Sequence, residues 1–179
     1  MSLFEHYKKE LAPKLMSELR DPHVMSVPRL LKVVLNVGTG PGLKDVKWNE
    51  VVEKSLKRIT GQKPVPTKAK KSISNFKIRE GLVIGYKVTL RGKRMYDFVE
   101  KLIRVAIPRI RDFRGLDAKC IDPRGHATIG FKEHLVFPEI RSDEVEKIHG
   151  LEVTLVTTAK TRDRGYALLK AMGFPFKEK

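Results

Sequence analysis

Apolar and polar positions recur along this chain with two different periods, and the periods separate helices from strands. Leu3, Phe4, Tyr7, Leu11, Leu15 and Leu19 fall about every fourth residue, a helical stripe over residues 3–20. Pro13 lies inside that stripe and predicts a kink or a restart there. "RLLKVVLNV" (29–37) is rich in Val and Leu and reads as a strand, broken by "GTGPG" (38–42). Trp48, Val51, Val52, Ser55, Leu56 and Ile59 then follow an i, i+3, i+4, i+7, i+8, i+11 spacing, an amphipathic helix that Gly61 ends.

The second half continues the alternation. In "LVIGYKVTLRG" (82–92), Tyr86, Val88 and Leu90 face one way while Lys87, Thr89 and Arg91 face the other. Residues 93–107 predict a helix with Met95, Phe98, Val99, Leu102 and Ile103 inward, closed by Pro108. Residues 109–127 read as a long loop. "TIGFKEHLVF" (128–137) and "LEVTLVTTA" (151–159) read as strands, and 162–172 as a last helix before Gly173 and Pro175. With no internal repeat and no low-complexity linker, this order predicts one α+β domain over residues 1–179. Its sheet is mostly antiparallel, with helices packed on one face. The other face is then open and presents Lys32, Asn36, Lys87, Thr89 and Arg91, a polar, basic surface of the kind that several folds use to take up RNA.

Composition narrows this further. A length of 179 residues suits one large domain, and 41% apolar residues are enough to fill its core. No run of eighteen apolar residues predicts a transmembrane helix, and "MSLFEHYKKELAPKL" lacks the apolar stretch of a signal peptide. The single cysteine, Cys120, has no ligand-like or disulfide partner nearby, so it reads as a small packing residue in a reducing compartment.

Charge changes the picture most. The net charge is +16, and residues 61–115 hold fifteen Lys/Arg against four Asp/Glu. Within them, "TKAKKSISNFKIREG" (67–81) carries Lys68, Lys70, Lys71, Lys77 and Arg79 around Phe76, with Glu80 only at its far end. A solvated helix face would carry compensating acids one turn away, and a membrane-surface helix would need a broader apolar stripe than Ile73, Phe76 and Ile78. Pro64, Pro66 and Gly81 bound the segment, so residues 63–81 are expected to be an exposed basic loop that meets backbone phosphates, with Ser, Asn and Phe76 touching ribose or base.

Chemistry beyond binding finds little support. "NVGTGPG" follows a strand, but its glycines at 38, 40 and 42 match neither a P-loop nor a dinucleotide fingerprint. They are expected to serve a tight turn or a close approach of RNA backbone. His6, His23, His126, His134 and His149 show no metal-ligand spacing, and "KEH" (132–134) reads as a solvated strand face. The expectation is a protein with no catalytic residues, metal or cofactor. "RIRDFRG" (109–115) leaves two readings open. Asp112 pairs an arginine while Phe113 anchors the loop, or Arg109, Arg111 and Arg114 fork onto phosphates or a protein carboxylate.

The string "ITGQKPVPTKAKKSISNFKIREG", followed by "IGYKVTLRGKRMYDF", resembles the bacterial-type large-subunit ribosomal protein five family, which binds 5S rRNA. The resemblance extends through "VPRLLKVVLNVGTG" (27–40), "IPRIRDFRGL" (107–116), "FPEI" (137–140), "LEVTLVTTAKT" (151–161) and "ALLKAMGFPF" (167–176). It implies a structural component of cytoplasmic ribosomes that holds 5S rRNA on its sheet face, in the central protuberance, in contact with large-subunit rRNA. Asn36, Gln62 and Thr89 are the contacts implied by motif, and with the basic and glycine positions beside them the expected set is Lys32, Asn36, Gly38, Gln62, Lys63, Lys87, Thr89 and Arg91. The loop 68–79 is implied to reach P-site tRNA through Lys68, Lys70, Lys71, Ser72, Asn75, Phe76, Lys77 and Arg79. The region from about 110 to 146 is implied to meet small-subunit protein thirteen in an intersubunit bridge, with Arg109, Arg111, Arg114 and Arg141 as candidates. Against the family's "FDGRGNYxxGxxEQxIFPEI" this chain has "IDPRGHATIGFKEHLVFPEI". Pro123 loses the φ > 0 freedom of Gly, beside changes at His126, Ala127 and His134, so of what the resemblance implies the loop shape and the bridge contacts carry over least securely, while the RNA face is untouched. The alternative is a general basic nucleic-acid binder with no preference for 5S rRNA.

Overall fold

Pro13 and Pro108 each follow a widened helical turn in the computed structural model, which describes residues 2–40, 46–141 and 147–177. α1 (Leu3–His6) passes into a π turn at Tyr7–Leu11 before α2 (Ala12–Glu18), and the Ala12 N–H donates to the Tyr7 carbonyl. A π turn at Leu102–Ala106 likewise precedes Pro108, with the Ile107 N–H donating to the Leu102 carbonyl. Proline lacks an N–H and crowds the carbonyl four residues back, so an i→i+5 turn just before it relieves the clash while the helix continues. The kink expected at Pro13 takes this form.

The remaining helices are α3 (Val46–Thr60), α4 (Gly92–Lys101) and α5 (Arg162–Ala171). The strands are β1 (Leu30–Gly38), β2 (Val65–Lys68), β3 (Val83–Leu90), β4 (Ala127–Phe131) and β5 (Leu151–Thr157). They form one antiparallel five-stranded sheet in the order β2-β3-β1-β5-β4, an α+β fold. Two differences from the sequence reading stand out. Val65–Lys68, expected within an exposed loop, is a strand paired with β3. The strand expected over 128–137 stops at Phe131, and His134–Val136 is a 3-10 turn.

The chain divides into two compact units. The first holds residues 1–33, 90–129 and 154–179. Here Ser2 and Glu5 form a reciprocal cap on α1, the Leu3 N–H donates to Glu100, and Tyr7 donates its hydroxyl to the Pro28 carbonyl at 3.0 Å. Arg164 of α5 grips the buried Asp21 with two hydrogen bonds of 2.9 and 2.7 Å and also reaches the Ser26 carbonyl. Gly125 and Gly165 touch backbone to backbone, since a Cβ at Gly165 would lie 2.5 Å from the Gly125 carbonyl oxygen.

The second unit holds residues 34–89 and 130–153. Val52, Leu56 and Ile59 of α3 are buried there, as the periodicity requires, and so are Leu35 and Val37 of β1 and Tyr86 and Val88 of β3. Burial, and behind it Glu53 and Glu50 of α3, raises the Tyr86 pKa.

Candidate nucleic-acid interface

Along β1 and β3 buried positions alternate with more exposed ones. On β1 the buried Leu35 and Val37 alternate with the exposed Asn36 and Gly38. On β3 the buried Tyr86 and Val88 alternate with exposed Lys87 and half-buried Thr89. Lys63 is exposed beside them in sequence order after α3, and Lys32 and Arg91, which belong to the other unit, are half-buried and exposed respectively.

Gln62 and Thr89 meet. The Gln62 side-chain amide donates to the Thr89 carbonyl at 3.2 Å. Its own N–H donates to the Thr60 hydroxyl, which donates in turn to the Leu56 carbonyl at 2.7 Å. The turn after α3 is thereby tied to the end of β3 by a polar chain. Gly38 and Gly40 do not have the positive φ that a tight turn would ask of glycine, and a Cβ at either would meet nothing within 4 Å. Neither therefore forms a turn that only glycine could make, and the space above both is open; Gly42 lies outside the described residues.

The basic segment is built on β2 and β3. Val65 to Thr67 pair with Lys87 to Gly85, and the register slips between Thr67 and Lys68. Gly85 has to be glycine here, because a Cβ would come within 2.7 Å of the Val37 carbonyl oxygen. Beyond the slip, Ala69 and Leu82, then Ile73 and Ile78, continue the pairing through backbone hydrogen bonds. A 3-10 turn at Ser74–Phe76 and a left-handed Lys77 (φ +53) close the tip, and the Ser72 hydroxyl accepts the Glu80 N–H. Lys68, Lys70, Lys71, Ser72, Asn75, Lys77 and Arg79 are all exposed, and Phe76 is 67% exposed. Among the described residues none of these five cations pairs with a carboxylate, so their mutual repulsion is unrelieved by the fold itself.

A family model described as ribosomal protein L5 matches residues 23–79, and a second, for the C-terminus of the same ribosomal family, matches residues 83–176. The large ribosomal subunit protein uL5 of Halothermothrix orenii is 55% identical over 176 residues, spanning 98% of both chains. The protein of the same name from Francisella tularensis subsp. novicida is 54% identical over 175 residues, again 98% of both. The chain belongs to the ribosomal protein L5 family. That family is one of structural ribosomal proteins without enzymatic activity, in keeping with the absence of a catalytic constellation in the sequence reading.

Within this family member the expected bridge arginines 109, 111, 114 and 141 are exposed. Among the described residues Asp112 makes no ion pair with Arg109, Arg111 or Arg114, so the pairing half of that reading falls away, while Phe113 is half-buried. Residues 142–146 of the region lie outside the described residues.

Pro123 follows Asp122 in a tight turn, in which the Gly125 N–H donates to the Asp122 carbonyl and the Asp122 carboxylate accepts the Arg124 and His126 N–H groups. The position with positive φ is Gly125 (φ +82), not residue 123. Proline is favoured at the second position of such a turn, so Pro123 fits the loop as it stands.

His134 is fully buried rather than on a solvated strand face. Its ring stacks on His149 with centroids 3.9 Å apart and planes 3° from parallel. The His149 N–H donates to His134 Nδ1, and the His134 N–H to the His149 carbonyl. Burial lowers the pKa of both, and for His149, with help from its neighbour, to about 4. Cys120 is half-buried, and burial raises its thiol pKa, which suits a packing role. Among the described residues no helix is long and apolar enough to cross a membrane.

Proposed function

We propose that this chain is a structural constituent of the large ribosomal subunit, resident on cytoplasmic ribosomes, that binds 5S rRNA through the uncovered side of β1 and β3. Asn36, Gly38, Gln62, Lys63, Lys87 and Thr89 carry that contact, with Lys32 and Arg91 adding charge. The tip segment, through Lys68, Lys70, Lys71, Ser72, Asn75, Phe76, Lys77 and Arg79, meets P-site tRNA. Arg109, Arg111, Arg114 and Arg141 face small-subunit protein thirteen in an intersubunit bridge, and large-subunit rRNA is a further partner.

The observation that carries this reading is the pair of strands. Asn36 and Lys87 stand uncovered directly opposite buried apolar residues, in a chain 55% identical along 98% of its length to a large-subunit protein. Amide and ammonium donors above an open glycine backbone suit sugar and phosphate oxygens, and Gly38 lets a backbone come close. The concentration of positive charge in residues 61–115 would by itself also suit a general nucleic-acid binder.

Filter binding separates the two. 5S rRNA, duplex DNA of equal length and an unrelated folded RNA are compared at low and high salt. Preference for 5S rRNA that survives at high salt, and weakens in Asn36→Ala, supports the ribosomal reading. Equal binding to all three that vanishes with salt would leave only an unselective basic surface.

A further inference from the structure

In the unit of residues 1–33, 90–129 and 154–179 lies a cleft of about 1000 Å³, lined by none of the residues assigned above to 5S rRNA, tRNA or the bridge. Arg162, Tyr166 and Lys170 reach it from successive turns of α5, Lys119 from the 3-10 turn at Ala118–Cys120, and Phe176 and Lys177 from the C-terminal segment. That segment is held in place. Leu116 donates to the Pro175 carbonyl at 2.8 Å and Lys177 donates back to Leu116 at 3.0 Å. Gly115 (φ +92) makes room for it, since a Cβ there would come within 2.9 Å of the Lys177 nitrogen. The Tyr166 and Phe176 rings lie 4.7 Å apart and 47° from parallel, both half-buried, so the cleft has an aromatic wall.

Its charge is out of proportion to its surroundings. Residues 116–179 hold eleven Lys/Arg against ten Asp/Glu, yet among the described residues four cations and two acids, Asp117 and Asp163, line the cleft. The Asp117 carboxylate accepts the Lys119 N–H at 2.8 Å, and the Arg162 guanidinium donates to the Ala118 carbonyl at 2.7 Å. Among the described residues none of the four cations is paired with a carboxylate. Lys170 sits 6.0 Å from the Tyr166 ring centroid. Packing the tail explains Phe176 on Tyr166 but asks for no cations beside them.

We propose that this cleft is a second RNA-binding surface, which takes an unpaired nucleotide with its base stacked on one ring of the tilted Tyr166–Phe176 pair and its flanking phosphates on Lys119, Lys170 and Lys177. A cationic groove beside an aromatic platform is the arrangement that holds single strands without reading sequence. The choice of RNA rests on the ribosomal reading above. An acidic peptide would satisfy the cations and leave the ring pair without a flat partner.

The test uses the full chain and a short, mixed-sequence single-stranded RNA carrying 4-thiouridine, with crosslinked peptides mapped after irradiation. Cleft crosslink yield is followed against RNA concentration and salt. Crosslinks at Tyr166 or Phe176 are expected. Phe176→Leu should weaken this site about tenfold. Lys119→Gln with Lys170→Gln, both exposed and harmless to the fold, should reduce its salt slope by about 1.4, for two phosphates on a single strand. Crosslinks confined to β1, β3 and the tip, or a cleft yield unchanged in the double variant, would overturn the proposal. So would polyglutamate, but not RNA, shielding Lys119 and Lys170 from acetylation. Cleft crosslinks that persist in a chain showing no 5S rRNA preference would sink the 5S reading and leave the cleft standing.

Discussion

The Gln62 side chain donates a hydrogen bond to the Thr89 carbonyl, joining two residues twenty-seven positions apart. The bond fixes the turn after α3 against the end of β3. It also brings together two of the three residues that the family resemblance nominates for 5S rRNA. Gln62→Ala removes that donor from a half-buried carbonyl, which should cost about 0.5–1.5 kcal/mol in urea denaturation. The same variant should bind 5S rRNA more weakly than its stability loss accounts for, when measured where the protein is fully folded.

The tip makes a second, separable prediction. Replacing Lys70, Lys71 and Lys77 by Gln removes three exposed charges that have no carboxylate partner among the described residues. Stability should stay within about 0.5 kcal/mol of the parent. The slope of log affinity against log salt for tRNA should fall by roughly 2 to 3, with a smaller change for 5S rRNA. An equal change for both RNAs would refute the division of labour between tip and sheet.

Two glycines should behave in opposite ways. Gly165→Ala forces a methyl onto the Gly125 backbone, where atoms sit 2.5 and 2.6 Å from the new carbon. It should lower stability by about 2 kcal/mol or more, read by thermal unfolding. Gly38→Ala meets nothing within 4 Å and should leave stability unchanged. If RNA backbone passes over Gly38, that silent change should still weaken 5S rRNA binding.

The stacked histidines predict an acid sensitivity. Both are held neutral by burial, with pKa values below the ordinary 6.5, and His149 is lowered to about 4. Their contribution is complete above about pH 6.5. It is lost as the pH falls from there towards 4, because the unfolded chain takes up protons that the folded pair refuses. His134→Gln, the residue common in the family, should reduce that loss. Urea midpoints measured between pH 7 and 4 check it: a parallel fall in parent and variant would contradict the account.

Much of the fold could be read from period alone. β1, α3, β3, α4, β5 and α5 sit where the alternation and the four-residue stripes put them, because each buries one continuous side. β2 escaped notice for a physical reason. Its four residues, Val65–Lys68, include a proline and expose three of the four, so they owe their strand character to pairing with β3 and carry no pattern of their own. The burial of His134 is not legible locally, because it follows two polar residues, Lys132 and Glu133, past the end of β4, while the partner that buries it, His149, is distant in sequence. The nominated side chains were legible from charge and motif. The bond between Gln62 and Thr89, the left-handed Lys77 and the Gly125–Gly165 crossing were not, since each depends on what another segment brings to it.

The measurement that most directly tests the central claim is tethered hydroxyl-radical cleavage of 5S rRNA. A cleavage reagent is attached in turn at residues 36, 87 and 54, each made cysteine in a chain carrying Cys120→Ser; Lys54 is exposed on α3. Cuts clustered in one region of 5S rRNA from positions 36 and 87, with none from 54, are the predicted result. Cleavage from 54 alone, or from all three alike, would contradict a 5S rRNA site on β1 and β3.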